Sequence, residues 1–234
     1  MTIKVFIATP VLNYNCSVNY TQSLLKTVEL LIKNNIDYEV HYLNNLLTPL
    51  ARNILTNTFM QGDCSHLFFI DSDITWKADD FLKILKGCDS VIGGAYPFKL
   101  YNMKKVDKTQ MNENTKYKMI EYVCNTNGKV DIQHDHVEVL NTGTGFMCIA
   151  RSVFDTLKEK VETFQRKDLL DDKVETIKNY FMCEIVNNSL LPEDFNFCRI
   201  ARENNIKIYV DITVNLCHEG TYVFEGNLIE TYFK

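Results

Sequence analysis

Short apolar runs alternate with amphipathic segments along the first hundred residues of the chain. Runs of apolar and β-branched residues bounded by turn residues indicate strands, whereas apolar residues that recur every three or four positions indicate helices. The predicted strands are Ile3–Ala8, Tyr38–Leu43, Leu67–Ile70 and Ser90–Ala95, and the predicted helices are Val18–Lys33, Thr48–Met60 and Ala78–Leu85. Strands that alternate with helices of this length specify an α/β fold with a mostly parallel central sheet flanked by helices.

The pattern changes after Pro97, where a polar stretch of about residues 98–136 begins. We predict that it forms an excursion on the ligand side of the sheet, with a hairpin of Met119–Cys124 and Val130–Ile132 that turns on Asn125–Gly128. The later predicted elements are strands at Val137–Leu140, Phe146–Ala150 and Lys207–Val210, a helix from Ser152, a charged helical segment at Val161–Lys178, and a helix from Pro192–Asp194 to about Asn204. Since no Gly-, Ser- or Pro-rich linker interrupts the chain, we predict one domain.

Composition and charge restrict the kind of protein. The chain has 234 residues, of which 46% are hydrophobic and 24% charged, as is typical of a globular protein. The net charge of -5 argues against a nucleic-acid partner, because phosphate-binding surfaces concentrate lysine and arginine. The eight cysteines include no Cys-x-x-Cys pair and favour free thiols. With no run long enough to cross a bilayer, we expect a cytoplasmic protein without an integral membrane segment.

Two carboxylates, Asp71 and Asp73, follow the apolar strand Leu67–Ile70 directly. Side chains two positions apart on an extended chain point the same way, and open α/β sheets bind ligands beyond the carboxyl ends of their strands. Two such carboxylates repel each other unless a cation lies between them. Oxygen ligands suit magnesium or manganese, and an added histidine favours manganese. The alternative is that the two aspartates cap the helix that follows.

The segment Leu67–Ile74 resembles the Asp-x-Asp segment of glycosyltransferases that have the GT-A fold and use nucleotide sugars. Further segments that resemble this family, in the same order, are Ala51–Asn53, Gly93–Pro97, Gly143–Met147, Pro192–Phe195 and His218–Gly220. The resemblance spans nearly the whole chain. It implies a single GT-A (Rossmann-like) domain of residues 1–234, with a nucleotide-sugar donor and a glycan or protein acceptor as substrates.

The resemblance also implies a role for individual residues. Those implied to bind the donor, expected to be a UDP-sugar, are Thr9, Pro10, Asn44, Asn45, Arg52 and Asp71. Tyr96 and Lys99 are further candidates to line the donor site. Those implied to hold Mn²⁺ or Mg²⁺ are Asp71, Asp73 and His218. The metal would neutralise the charge that develops on the departing diphosphate.

An inverting member of this family removes the proton of the acceptor hydroxyl with a carboxylate, and the resemblance implies Asp194 for this role, with Glu193 as the substitute. The segment His218–Tyr222 lacks the longer His-x-x-Gly-x-x-Lys-Pro-Trp signature of one retaining group, which favours inversion. The alternative is structural, because carboxylates also stabilise the first turn of a helix.

Two other functions compete with the glycosyltransferase. A sugar nucleotidyltransferase normally has a glycine-rich, basic loop after the first strand, but Thr9–Tyr14 contains no glycine. A glycan-binding module that has lost catalysis is the other alternative, although the chain keeps all of the implied site carboxylates. For three further residues we favour structural roles, with Trp76 in the core and with His134 and His136 at a solvated hairpin edge rather than at a metal.

Overall fold

The computed structural model describes residues 2–44, 46–105, 115–128, 131–167 and 174–233. The helices are α1 Val18–Lys33, α2 Thr48–Gln61, α3 Ala78–Gly87, α4 Thr115–Lys118, α5 Arg151–Leu157, α6 Glu193–Glu203 and α7 Leu228–Tyr232, with a 3-10 turn at Met103–Lys105. Within these ranges, no helix combines the length and the apolar character that crossing a bilayer requires.

The strands are short except for the first two. They are β1 Lys4–Val11, β2 Asp37–Asn44, β3 His66–Ile70, β4 Ile74–Thr75, β5 Val91–Gly93, β6 Pro97–Tyr101, β7 Ile120–Tyr122, β8 Cys124–Asn125, β9 Ile132–Gln133, β10 His136–Glu138, β11 Asn141–Thr142, β12 Phe146–Ala150, β13 Thr163–Lys167, β14 Val174–Lys178, β15 Glu184–Val186, β16 Ser189–Leu191, β17 Ile208–Asp211, β18 Cys217–Glu219 and β19 Val223–Glu225.

The described residues form a central sheet of eight strands in the order β2-β1-β3-β12-β5-β17-β10-β9. Within that sheet six strands run in one direction, and only β12 and β10 run against them. This confirms the predicted α/β fold with a mostly parallel sheet flanked by helices. Because β1, β2 and β3 are adjacent and parallel, their carboxyl ends meet at one edge of the sheet.

Strand β3 lies inside the sheet and is buried on both faces. Leu67 and Phe69 pack into one hydrophobic core, with residues of α2, α5 and α6, while Phe68 and Ile70 pack into the other, with residues of α1 and α3. All four side chains are fully buried. All four positions of the run are apolar because successive side chains of a strand point to opposite faces, and here each face packs into a core.

Helix α1 has the predicted bounds, and its start is fixed by Ser17, whose hydroxyl accepts a hydrogen bond from the backbone N–H of Tyr20. The predicted core position of Trp76 is also confirmed. Its indole Nε1 donates to Thr27 Oγ1 on α1 at 2.8 Å, and its ring packs edge-on against Tyr20. A sugar-stacking role for this tryptophan is excluded by its burial.

The predicted hairpin between Met119 and Ile132 is wrong. Strand β7 pairs with β6, β8 pairs with β11, and β9 pairs with β10; Val130 lies outside the described residues. The Asn125–Gly128 segment has the composition of a turn, but the strands before it, β7 and β8, form their backbone hydrogen bonds with β6 and β11 instead. The two-residue turn of the β9–β10 hairpin is instead made by His134 and Asp135, which both have positive φ. The hairpin-edge interpretation is confirmed for His134, which is exposed in this turn. It is wrong for His136, which is partly buried on β10 between β17 and β9, with Nε2 3.6 Å from Asp211 Oδ2.

The predicted charged helix at Val161–Lys178 is also wrong, because this segment contains the antiparallel strands β13 and β14. Exposed and partly buried side chains alternate along β13, which is the period of a strand. On β14, Ile177 is fully buried. Charged side chains lie on both faces of this ribbon, since Arg166 and Glu175 share the less exposed face with Phe164 and Ile177, whereas Lys167 is exposed.

Candidate active site at the carboxyl edge of the sheet

The turn after β3 brings Asp73 to the carboxyl-terminal part of the chain. The N–H of Asp71 donates to the carbonyl of Gly145, and the N–H of Ile74 donates to the carbonyl of Asp71, so the chain reverses within three residues. Strand β4 then pairs with β18, where Ile74 lies opposite His218. This register places Asp73 beside the imidazole of His218.

The alternative that the two aspartates cap helix α3 is wrong. The residue before the first turn of α3 is Lys77, and it makes no side-chain capping bond. The short strand β4 separates both carboxylates from the helix. Their position at the edge of the sheet therefore needs another explanation.

Asp73 and His218 form a pair of potential metal ligands. His218 Nε2 lies 3.5 Å from Asp73 Oδ1, and His218 Nδ1 donates to the carbonyl of Pro97 at 2.8 Å. This bond fixes the ring, and in the neutral imidazole it leaves the lone pair of Nε2 on the side of Asp73. One carboxylate and one imidazole, oriented in this way, fit Mn²⁺ or Mg²⁺.

The ammonium of Lys99 also contacts Asp73, where it donates to Oδ2. Burial alone would raise the pKa of the Asp73 carboxyl, but hydrogen bonds and charges from His218 and Lys99 outweigh this effect and hold that pKa below its ordinary value. Asp73 is therefore an ionised carboxylate at neutral pH. The structure brings together three of the predicted site residues at this point.

Asp71 belongs to a second cluster, which is centred on Arg52. The Arg52 guanidinium is buried, and its Nη2 lies 2.9 Å from Asp71 Oδ1, while its Nε lies 3.4 Å from Glu193 Oε1. The same group lies over the ring of Phe69, 5.2 Å from the centroid. Arg52 Nη1 is buried with no hydrogen-bond partner among the described residues. One side chain of α2 thus joins the end of β3 to the start of α6.

Asp194 lies next to this cluster without sharing its ion pairs. Burial, followed by the charge of Glu193, raises the pKa of the Asp194 carboxyl to about 6, against the lowering effects of the Phe195 N–H and of Arg52. That N–H donates to Asp194 Oδ1 at 2.8 Å. The pKa of this carboxylate is therefore raised towards neutrality, while Arg52 pairs with Asp71 and Glu193.

Tyr96 fills the space between these carboxylates. Burial, followed by the charges of Asp71 and Asp194, raises the pKa of its hydroxyl well above the ordinary value. The hydroxyl accepts a hydrogen bond from the N–H of Gly145 at 3.3 Å. A Cβ at Gly143 would lie only 2.1 Å from that hydroxyl oxygen, so glycine is required for the backbone to approach the ring.

Gly143→Ala is expected to destabilise the protein by about 1–3 kcal/mol, because the added methyl group forces the buried ring of Tyr96 to move. Urea denaturation followed by circular dichroism measures the change. Gly62→Ala is the control, since a Cβ there meets its nearest neighbour, the carbonyl oxygen of Phe59, at an ordinary 3.6 Å. Equal stability of wild type and Gly143→Ala would contradict this account.

The residues predicted to bind the nucleoside lie at the ends of β1 and β2. Thr9 is fully buried, and its hydroxyl is 2.6 Å from that of Tyr20, so its side chain belongs to the core. Pro10 is partly exposed on β1. Asn44 Oδ1 accepts a hydrogen bond from the N–H of Tyr14 and so ties β2 to the loop after β1. Asn45 lies outside the described residues.

A cleft of about 350 Å³ separates the loop after β1 from Asp73 and the β18 region. It is lined by Leu12, Asn13, Asn15, Cys16, Ser17, Ser72, Asp73, Glu219 and Gly220. Sequence reasoning assigned no role to Glu219. Its Oε1 accepts hydrogen bonds from Ser17 and Thr75, and its N–H donates to the carbonyl of Asp73. Its position between His218 and Gly220 is the feature of the sequence that could have identified Glu219 as a residue of the site.

A larger cavity of about 850 Å³ lies between β6, β7, β10, β17 and α7. Its lining is mainly apolar, and none of the site carboxylates described above belongs to it. We therefore place the candidate site beside the smaller cleft, because Asp73, which lines it, contacts both His218 and Lys99.

Among the described residues, three further side chains could bind a metal together. They are Glu39, Asp63 and Cys64, whose ligand atoms lie within 4.8 Å of one another. This group lies at the amino edge of the sheet, opposite the cleft. The ammonium of Lys4 contacts both carboxylates and compensates one of their two negative charges. We assign this group to an ion-pair network.

No family model matches the sequence, and no curated protein matches it. Among solved structures, the chain is similar to A197 from STIV, with 17% identity, a TM-score of 0.52, and coverage of 96% of this chain and 95% of that one. It is also similar to a mutant of a Drosophila β1,4-galactosyltransferase 7 in complex with manganese, UDP-Gal and xylobiose (10% identity, 97% and 71% coverage, TM-score 0.47). A third similar structure is the inositol-1-phosphate CTP transferase of T. maritima (7% identity, 90% and 85% coverage, TM-score 0.41). At these identities the similarity to A197 concerns the fold alone.

Proposed function

We propose that residues 1–234 form a single GT-A domain and that the protein is a glycosyltransferase. It moves a sugar from a nucleoside diphosphate sugar, such as a UDP-sugar, to a hydroxyl of a glycan or protein acceptor, with inversion. The observation that carries this proposal is the meeting of two kinds of group at one edge of the sheet. Asp73 and His218 form an oriented pair of metal ligands, and Asp194 has a pKa near neutrality.

The donor side of the proposed site is formed by Asp73, His218 and Arg52. Mn²⁺ or Mg²⁺ held by Asp73 and His218 would supply positive charge where the diphosphate departs. Arg52 Nη1 is buried without a hydrogen-bond partner among the described residues, and an anionic oxygen of the donor would supply the acceptor that it lacks. These groups favour breakage of the bond to the diphosphate.

The acceptor side is formed by Asp194. A general base works best when its pKa lies close to the working pH, because it is then ionised and still basic. Burial provides this condition here, since it raises the pKa of Asp194 to about 6. Asp194 takes the proton of the acceptor hydroxyl, whose oxygen forms the new bond to the sugar. Glu193 is held by Arg52 and acts in positioning.

The reaction products decide between this function and its alternatives. The purified protein is incubated with a panel of nucleotide sugars and MnCl₂, and the products are separated by chromatography. We expect release of the nucleoside diphosphate, which EDTA abolishes. A parallel incubation contains a sugar phosphate and a nucleoside triphosphate. Release of pyrophosphate there would indicate a nucleotidyltransferase. The absence of both products would indicate a binding module.

Asp73→Asn is expected to weaken Mn²⁺ binding at least about tenfold, because the amide loses the charge that a metal ligand supplies. Isothermal titration calorimetry measures the Kd, and circular dichroism checks the fold. The control is Asp63→Asn, at an exposed carboxylate that pairs with Lys4 at the opposite edge of the sheet. Equal Mn²⁺ affinity in wild type and Asp73→Asn would remove the metal from the proposal.

A further inference from the structure

Lys99 provides Asp73 with a cation that belongs to the protein itself. Its ammonium donates to Asp73 Oδ2, while His218 Nε2 lies on the side of Oδ1, at 3.5 Å. Both side chains of the Lys99–Asp73 pair are partly exposed to solvent. The charge of Asp73, the carboxylate proposed as a metal ligand, is therefore already compensated by Lys99. A divalent cation bound to Asp73 would be repelled by this ammonium.

The position of Lys99 is set by three elements that meet at the cleft. Strand β6 directs the neighbouring side chains of Phe98 and Leu100 to the large apolar cavity, and Lys99 lies between them in the sequence and reaches the carboxylate of Asp73. Its aliphatic stem passes over Gly220, where a Cβ would come within 3.1 Å of Lys99 Cδ. The absence of a side chain at Gly220 therefore leaves room for the lysine beside His218.

We propose that Lys99 is the built-in counter-ion of Asp73, which competes with the divalent cation for this carboxylate and, once displaced, attracts the phosphates of the nucleotide. The inference rests on the proposed function. Two cations cannot both contact one carboxylate oxygen pair at close range without repelling each other. An ammonium on a flexible four-carbon stem can leave one oxygen atom and still keep its charge within the cleft.

This arrangement keeps the cleft ready for a metal–nucleotide complex. An ion pair that is open to solvent is weak, so a divalent cation can displace the lysine. Without the metal, the pair prevents Asp73 from repelling the phosphates of a nucleotide. The lysine therefore has opposite effects on two ligands, since it weakens the binding of a free metal ion and strengthens the binding of a free nucleotide.

The test compares Lys99→Met with wild type by isothermal titration calorimetry, with MnCl₂ as one titrant and uridine diphosphate in EDTA as the other. For Lys99→Met we expect Mn²⁺ to bind about three- to tenfold more tightly and uridine diphosphate about three- to tenfold more weakly, the range for removal of one partly exposed charge. Lys99→Arg keeps the charge and is expected to restore both affinities towards wild type.

Lys207→Met is the matched control, because Lys207 pairs with Glu138 at 2.9 Å on an exposed surface outside the cleft. It should leave both affinities unchanged. Mn²⁺ binding that is unchanged or weaker in Lys99→Met would overturn the competition while leaving the glycosyltransferase proposal intact. Uridine diphosphate binding that is unchanged would overturn the phosphate role. If neither wild type nor Lys99→Met binds Mn²⁺, both this inference and the metal dependence of the proposed function are wrong.

Discussion

The single substitution Asp194→Asn is expected to lower the enzymatic activity and to raise the stability of the folded protein. Removal of a general base lowers kcat by about 10²- to 10⁴-fold, because the amide cannot accept the proton of the acceptor hydroxyl. The stability gain arises from the raised pKa of the Asp194 carboxyl, which is about 6 in the folded protein and 3.8 as its ordinary value. Ionisation of this group at neutral pH therefore opposes folding.

The direction of this effect follows from proton binding. Between about pH 4 and pH 6 the folded protein binds the Asp194 proton more strongly than the unfolded chain does, so this group makes the protein less stable as pH rises through that range. Asparagine removes the cost, and we expect the free energy of unfolding at pH 7.5 to rise by about 1–2 kcal/mol, reduced from the full shift because the site is partly open to solvent. Urea denaturation at pH 4 and pH 7.5 measures it.

The pH dependence of the rate provides a second measurement. The kcat/KM of wild type is expected to rise with pH and to level off above an apparent pKa of about 6, as Asp194 loses its proton. Glu193→Gln serves as the comparison. It should keep a profile of this shape but with a lower apparent pKa, because the charge of Glu193 raises the pKa of Asp194. A loss of stability in Asp194→Asn together with an unchanged rate would show that the carboxylate only stabilises the first turn of α6.

Arg52→Met is expected to lower the free energy of unfolding by about 3 kcal/mol, because it leaves the carboxylates of Asp71 and Glu193 close together without their cation. Methionine keeps much of the buried volume, so the loss measures the charge rather than a cavity. The stability of purified variants in urea provides the value. Donor binding should be weakened as well, since the proposed function assigns an anionic oxygen of the donor to Arg52 Nη1.

A double-mutant cycle separates this electrostatic account from simple loss of packing. Glu193→Gln removes one of the two carboxylates, and we expect Arg52→Met to cost about 1 kcal/mol less in that background than in wild type. Arg151 is the matched control, because it donates to backbone carbonyls of Phe59, Gly62 and Cys64 and pairs with no carboxylate of the site. Arg151→Met and Glu193→Gln should have additive effects. Additivity of Arg52→Met and Glu193→Gln would contradict the proposed charge network.

The order of strands and helices was predictable from the sequence wherever periodicity was strong. The bounds of α1 follow from its apolar spacing and from Ser17 at its start, and β3 follows from four apolar residues that enter two cores. The place of Asp71 and Asp73 at the carboxyl edge of the sheet follows from the strand before them. These features depend on interactions between residues that are close in the chain, which a local pattern contains.

Only the tertiary structure decided which distant residues meet. Arg52 pairs with Glu193 across 141 positions of the chain, and Lys99 reaches Asp73 across 26. The errors at 119–132 and 161–178 have the same origin, since short strands took partners that no turn signal or charge pattern specifies. Because ion pairs, strand partners and pKa shifts depend on the packing of whole elements, the sequence determined the fold class and the edge that carries the site, whereas the packed structure determined which of its charges face one another.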